Sequence, residues 1–550
     1  TADLAKLSTS HIQALSTSAI ANLTADQFKS LSTDQLNALT TGQVKGLTTA
    51  QLVALTTEQV GGLIAGMVSA LTTTQIAAVA TDDFAVLSTG AVAAFTTAQV
   101  SALTTAQVVA LSEDQAGVLT TAQVKVLTSA QIAVFETADL AKLGTSHIQA
   151  LSSGAIASLT ADQFKSFSTD QLNALTTGQV KGLTTVQLVA LTTEQASGLS
   201  TGMLSALTTA QLTALATDDF ASLSTDAVAA LTTAQVGVLT TAQVVALSED
   251  QSSVLTTAQV KALTTTQIAV FETADLAKLS TTHIQALSTG AIASLTADQF
   301  KTLSTDQLNT LTTGQIKALT TAQMKALSAE QTAKLSTTQL NALSGVQVAA
   351  LDAPDLADLT TSQIQALSTA AVAAMTTTQV AALNTAQASG LTTAQVRALT
   401  TAQVVALTTT QAEKLSTAQL AAMTSTQVKA LEAADLGKLT STQLRAITSV
   451  AISGLTSAQV GGLTTVQVSN LTDAQVGALS VAQVKGIEEA DLAKMTATQL
   501  QAINSAAVGQ LSTAQVAALT TDQIDKLTTA QIKSLTTAQM KALSADQTAK

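Results

Sequence analysis

An eight-residue register that never slips governs this sequence. With the unit's positions labelled a to h, position a falls at residue 7 and at every eighth residue to 543. All 68 of these places hold Leu, Ile, Val, Phe or Met, and 57 hold Leu. A fixed short period identifies a repeat architecture and sets the fold ahead of any local propensity. A typical unit is Leu-Thr-Thr-Ala-Gln-Val-Lys-Ala, as at 255–262. Position f is usually Val, Ile or Leu but accepts Ala116, Ala196, Ser252, Thr332 and Ala412, and all nine Phe lie at a or f. This pattern predicts a as the deepest core position and f as the second. Positions b and c are mostly Thr or Ser, e is mostly Gln, and h is mostly Ala, Gly or Lys.

A longer period is superimposed. Ala-Asp-Leu-Ala-Lys-Leu begins at Ala2, Ala138 and Ala274, seventeen octads apart, and related strings recur at Pro354, Ala434 and Ala490, after ten, ten and seven octads. All these spacings are whole octads, so the array has changed length by complete units. The expected organisation is one continuous array over 1–550, with long-period copies over about 1–136, 137–272 and 273–318 followed by shuffled octads. Position b differs freely between copies (Ile64 against Ser200), as an exposed site would.

Three structures compete for such a unit. One continuous helix would rotate the Leu stripe by about 80° per octad, so no face would stay buried. A β-solenoid suits Thr, Val and Ile, but strict alternation would put Leu at a and Val at f on opposite faces. A string of very short helices fits best. Thr or Ser at b with Gln or Asp at e, three residues on, is a capping box. The helix would then run from c to about a, roughly two turns. Acids cluster at d and e (Asp26, Asp34, Glu58) and bases at g and h (Lys29, Lys45, Arg397), the order the helix dipole favours. Glu330–Lys334 and Asp546–Lys550 stand as i,i+4 pairs. The only proline, Pro354, sits at d, in the first turn, where its missing N–H costs nothing.

So short a helix is not stable alone and needs stacked neighbours. The expectation is an all-α solenoid, a superhelical rod with one capped helix per octad, and a β-solenoid as the alternative. Two octads per turn with about 9–10 Å between packed helices would spread 68 octads over about 300 Å.

Composition narrows the function. There is no Cys, Trp or Tyr, and the net charge is −12. The absence of Cys removes disulfides and thiol chemistry. The acidic balance argues against nucleic acid, which is bound by basic stripes. No apolar run reaches membrane-helix length, which predicts no membrane insertion. The chain starts at Thr1 and shows no signal peptide.

His11, His147 and His283 are the obvious metal or catalytic candidates, but each stands at e, where Gln is usual, once per seventeen octads. They read as substitutes for Gln. Asp82–Asp83 and Asp218–Asp219 resemble acid dyads, yet adjacent helical side chains diverge, and they read as helix N-terminal charge. Asn22 and Asn470 begin glycosylation sequons that chance explains in so Thr-rich a chain. No nucleophile–base constellation or phosphate loop is present. The expectations are therefore no enzyme, no catalytic residue, no metal and no cofactor.

Through Leu-Thr-Thr-Ala-Gln-Val and its variants, the whole chain resembles bacterial secreted and cell-surface proteins with long octapeptide arrays. The resemblance implies an extracellular or cell-surface filament, adhesin stalk or matrix component and carries no site residues. The array opens and closes mid-octad with no terminal capping unit, which suggests self-association into fibres. The alternative is a binding rod that presents rows of Thr and Ser at b and c to ice, polysaccharide or a surface.

Overall fold

The structure, a computed structural model, describes residues 3–549. Among them the chain forms 68 α-helices of four to six residues, one per octad, preceded by a short 3-10 helix at Leu4–Lys6, and no strand. The fold is all-α, and the β-solenoid is excluded.

Each helix begins at c. The b residue before it is extended, near φ −70° and ψ 155°, as an N-cap should be. Thr400 shows the box. Its Oγ1 accepts from Gln403 N–H at 3.2 Å, and its own N–H donates to Gln403 Oε1 at 2.8 Å. Helices end at g or h in most octads, not at a. The a residue is extended in its turn (Leu15, φ −65° and ψ 141°) and closes the helix by donating its N–H to the f carbonyl, Leu15 to Ile12 at 3.2 Å. Two consecutive extended residues, a and b, therefore separate the helices. No described residue has a positive φ, so the bend needs no glycine. Pro354 sits within the first turn of Ala353–Ala357, as expected.

The early helix end inverts the expected depth order. Position f is the deepest, with Val44, Phe84, Phe164 and Leu204 fully buried, whereas a keeps a rim of exposure (Leu39 8%, Leu47 5%). Aromatic f and a residues meet inside, Phe84 on Phe95 and Phe164 on Phe167, both with ring centroids 5.7 Å apart. Ile64 at b is 53% exposed and makes no side-chain cap.

The chain divides into two compact units, Thr1–Leu279 and Ser280–Lys550, each holding 34 of the helices. Within each unit a helix packs on the helix three octads ahead, Ser153–Ala157 on Thr177–Gly182 and Gly345–Ala350 on Thr369–Ala374. Side-chain amides at e reach the junction between the third and fourth preceding octads, as described below. A turn therefore takes between three and four octads, close to three and a half, and not the two expected. With about 9–10 Å between stacked helices, each octad advances about 2.7 Å along the axis instead of about 4.8 Å.

Position h faces c of the third preceding octad, which explains its small residues. A Cβ on Gly454 would run into the Ser425 carbonyl oxygen, and one on Gly46 into Thr17 Cγ2. Ser425 presents backbone there, which cannot swing aside. Gly454→Ala is accordingly expected to cost about 1–3 kcal/mol, whereas Gly437→Ala, with nothing within 4 Å of the new methyl, should be neutral or slightly stabilising. Thermal unfolding of the two variants followed by circular dichroism checks the contrast.

Candidate functional site: a ladder of buried glutamines

The most specific chemistry in the chain is carried by Gln at e. Its two ends do different work. The Oε1 atom completes the capping box of its own octad. The Nε2 atom donates to the f carbonyl four octads back, which also accepts the following a N–H, and to the a carbonyl just past that helix's end. Gln403 Nε2 donates to Val372 O at 2.8 Å and Met375 O at 2.7 Å. Gln43 does so to Ile12 O and Leu15 O at 2.8 and 2.7 Å, and Gln323 to Ile292 O and Leu295 O at 2.7 and 2.9 Å. These amides are buried, Gln323 with no exposed surface at all. One side chain thus caps the start of its own helix and the end of another, one turn back. A capping box requires only Glu or Gln, and sequence reasoning stopped there. The missed signal was that e is never Glu. An amide carries both an acceptor and a donor, whereas a carboxylate only accepts.

The expected substitutes for Gln take its place in part. His11, His147 and His283 each accept at Nδ1 from the b N–H, from Ser8 at 3.3 Å, Gly144 at 3.1 Å and Ser280 at 3.3 Å. His147 also hydrogen-bonds the Leu119 carbonyl, one turn back, as a Gln would. Burial holds its pKa below the usual histidine value, opposed by that carbonyl. Its contribution to stability is therefore present above about pH 6.5 and declines as the pH falls below it. The three His lie on separate octads, and among the described residues no group of three or more His, Asp or Glu is placed to hold a metal ion.

The two Asp pairs diverge. Asp82 faces solvent, while Asp83 is buried and accepts from Thr57 Oγ1 at 2.7 Å; Asp219 likewise accepts from Thr193 Oγ1 at 3.0 Å. Asn470 turns its amide onto Val466 O of its own helix. Of the expected hydroxyl rows, b is occupied by capping and c is exposed or half-exposed. The ion pairs among the described residues are Asp3–Lys6, Glu113–Lys142, Glu249–Lys278 and Asp525–Lys526. Glu330–Lys334 is not among them. Asp546–Lys550 involves a residue outside the described ones.

Leu-Thr-Thr-Ala-Gln, the string that carries both halves of the ladder, is also what a family model recognises. The ALTTAQ repeat model matches residues 1–33, 30–64, 76–113, 132–169, 164–201, 212–249, 268–305, 302–337, 348–385, 384–417, 428–465, 484–521 and 517–550. The chain belongs to the ALTTAQ repeat family. The Thr-Thr and Gln of that signature are the cap and the amide described above. Each octad that carries this signature is thus one capped helix with one amide reaching back a turn, and one match spans four to five octads. No curated protein matches the chain. No helix among the described residues is long and apolar enough to cross a membrane.

Proposed function

We propose that this ALTTAQ repeat chain is a non-catalytic structural protein of the cell exterior that self-associates into fibres. The observation that supports this reading is the directionality of the ladder. Wherever e is Gln, a turn presents an amide donor on one side and helix-end carbonyls on the other, so the contact between successive turns is head-to-tail. A head-to-tail contact that does not close on itself extends without limit, and the same contact can form between chains. The extracellular placement rests on the absence of Cys and on the resemblance to secreted octapeptide arrays. Electron microscopy of the purified chain tests the assembly. Fibres far longer than one chain support it, and uniform single particles at high protein concentration overturn it.

A second reading, a stalk that presents its surface to ice or glycan, is favoured by the outward Thr and Ser at c, such as Thr97, Thr209 and Thr393. Thermal hysteresis or glycan-array binding that disappears when a row of c Thr is replaced by Val would support it.

A further inference from the structure

Seven complete octads carry Asp at e: Asp83, Asp139, Asp219, Asp275, Asp355, Asp435 and Asp491. A carboxylate can accept from the b N–H, and Asp139 does so from Glu136, but it has nothing to donate to a carbonyl a turn away. In Asp83 and Asp219 the hydroxyls of Thr57 and Thr193 meet the spare capacity. In Asp139, Asp275, Asp435 and Asp491 at least one carboxyl oxygen is buried with no hydrogen-bond partner. Each of these residues is no more than 2% exposed. An ionised carboxylate left so is costly.

The surroundings of Asp139 offer no compensating cation. It packs on Glu113–Gly117, where Glu113 occupies the c position that Thr193 fills for Asp219, and Asp114 stands beside it. Its own helix brings Glu136 and Lys142, and Lys142 is engaged with Glu113 at 3.3 Å. Ala161–Lys165, on the other side, brings Asp162 and Lys165. Burial first, then Glu136 and Glu113, raises the Asp139 pKa to about 6. Asp275 repeats the arrangement with Glu272 and Glu249 and reaches about 6 as well, although the Ser252 hydroxyl pulls it down. The f residue 23 positions before an acidic e residue is also small: Ala116, Ala196, Ser252, Thr332 and Ala412 precede five of the seven. Elsewhere in the array only Ala388 and Thr548 are as small at f.

We propose that the octads of Asp139 and Asp275 are proton-operated joints: with the carboxyl protonated, its O–H stands in for the Gln amide and the turns close, and with the carboxyl ionised the same contact loosens. The folded state binds this proton more tightly than the unfolded chain, whose Asp titrates near 3.8. Closure is therefore complete below about pH 4 and is lost as the pH rises through about 6.

Hydrogen exchange of the intact chain, compared at about pH 5 and about pH 8 after correction for intrinsic rates, reads the joints directly. The amides of Glu113–Gly117 and Thr137–Lys142 should lose protection by up to about tenfold at the higher pH, while octads that neither carry nor adjoin an acidic e residue hold theirs. Asp139→Asn keeps the acceptor, adds a permanent donor, and should hold the joint closed at both values. Protection at Asp139 that does not change with pH, or a pH dependence that survives in Asp139→Asn, overturns the proposal.

Discussion

Gln323→Glu should open the array at one turn. The substitution preserves shape and keeps the acceptor that takes the Thr320 N–H at 2.9 Å. It removes the hydrogen bonds donated to Ile292 O and Leu295 O and puts a carboxylate beside two carbonyls in a fully buried place. Breaking a buried hydrogen-bonded contact and leaving a charge there costs about 2–5 kcal/mol. The loss is read as faster exchange of the amides around 287–295 and 321–327. Because the new carboxyl is neutral in acid, the deficit should shrink below about pH 5. A Gln323→Glu chain as protected as the parent at neutral pH would show that the amide ladder contributes nothing to holding turns together.

Phe164→Ala should be the most damaging core change. Phe164 is fully buried at f and its ring packs tilted against Phe167. Truncation leaves a cavity worth about 3–5 kcal/mol. The small f residues found naturally do not contradict this. Five of them stand 23 positions before an Asp, whereas that place relative to Phe164 holds Gln187, which is already committed to Ile156 O and Leu159 O. Phe164→Leu, a side chain that f accepts at Leu172, should cost under about 1.5 kcal/mol. In a solenoid each turn touches only its neighbours, so exchange should rise around 132–140 and 188–196 and remain at parental levels near 40 and 250. A uniform loss along the chain would mean that the units unfold as single bodies.

Much of this architecture is legible in the octad. Thr at b with Gln at e fixes where a helix starts, and a helix that must restart every eighth residue is short. The placement of Asp26 and Lys29, and of Pro354, follows from the same cap. Where the helix stops is less visible, since nothing in Leu-Thr-Thr announces that Leu15 is extended and not the last helical residue. That one difference reversed the depth order of a and f. The number of octads per turn was not legible either, because it depends on the angle between successive helices, which the a–b dipeptide sets. The amide ladder could have been read from the preference for Gln over Glu, but its partners in the preceding turn follow only once the length of the turn is known.

The turn of about three and a half octads has a consequence for how such a chain changes over generations. A gain or loss of one octad moves every later unit to a new neighbour in the adjacent turn. In most repeat proteins that would scramble matched surfaces. Here 48 of the 68 octads offer the same amide, and the two carbonyls are backbone, so a new neighbour generally serves as well as the old one. Recombination between copies can therefore lengthen or shorten the gene in steps of one octad's coding length without a compensating mutation, and the spacings of seventeen, ten and seven octads are its record. The acidic octads are the exception: the small residue 23 positions before most of them ties each of those to one particular predecessor, and a breakpoint that falls between the two separates a matched pair.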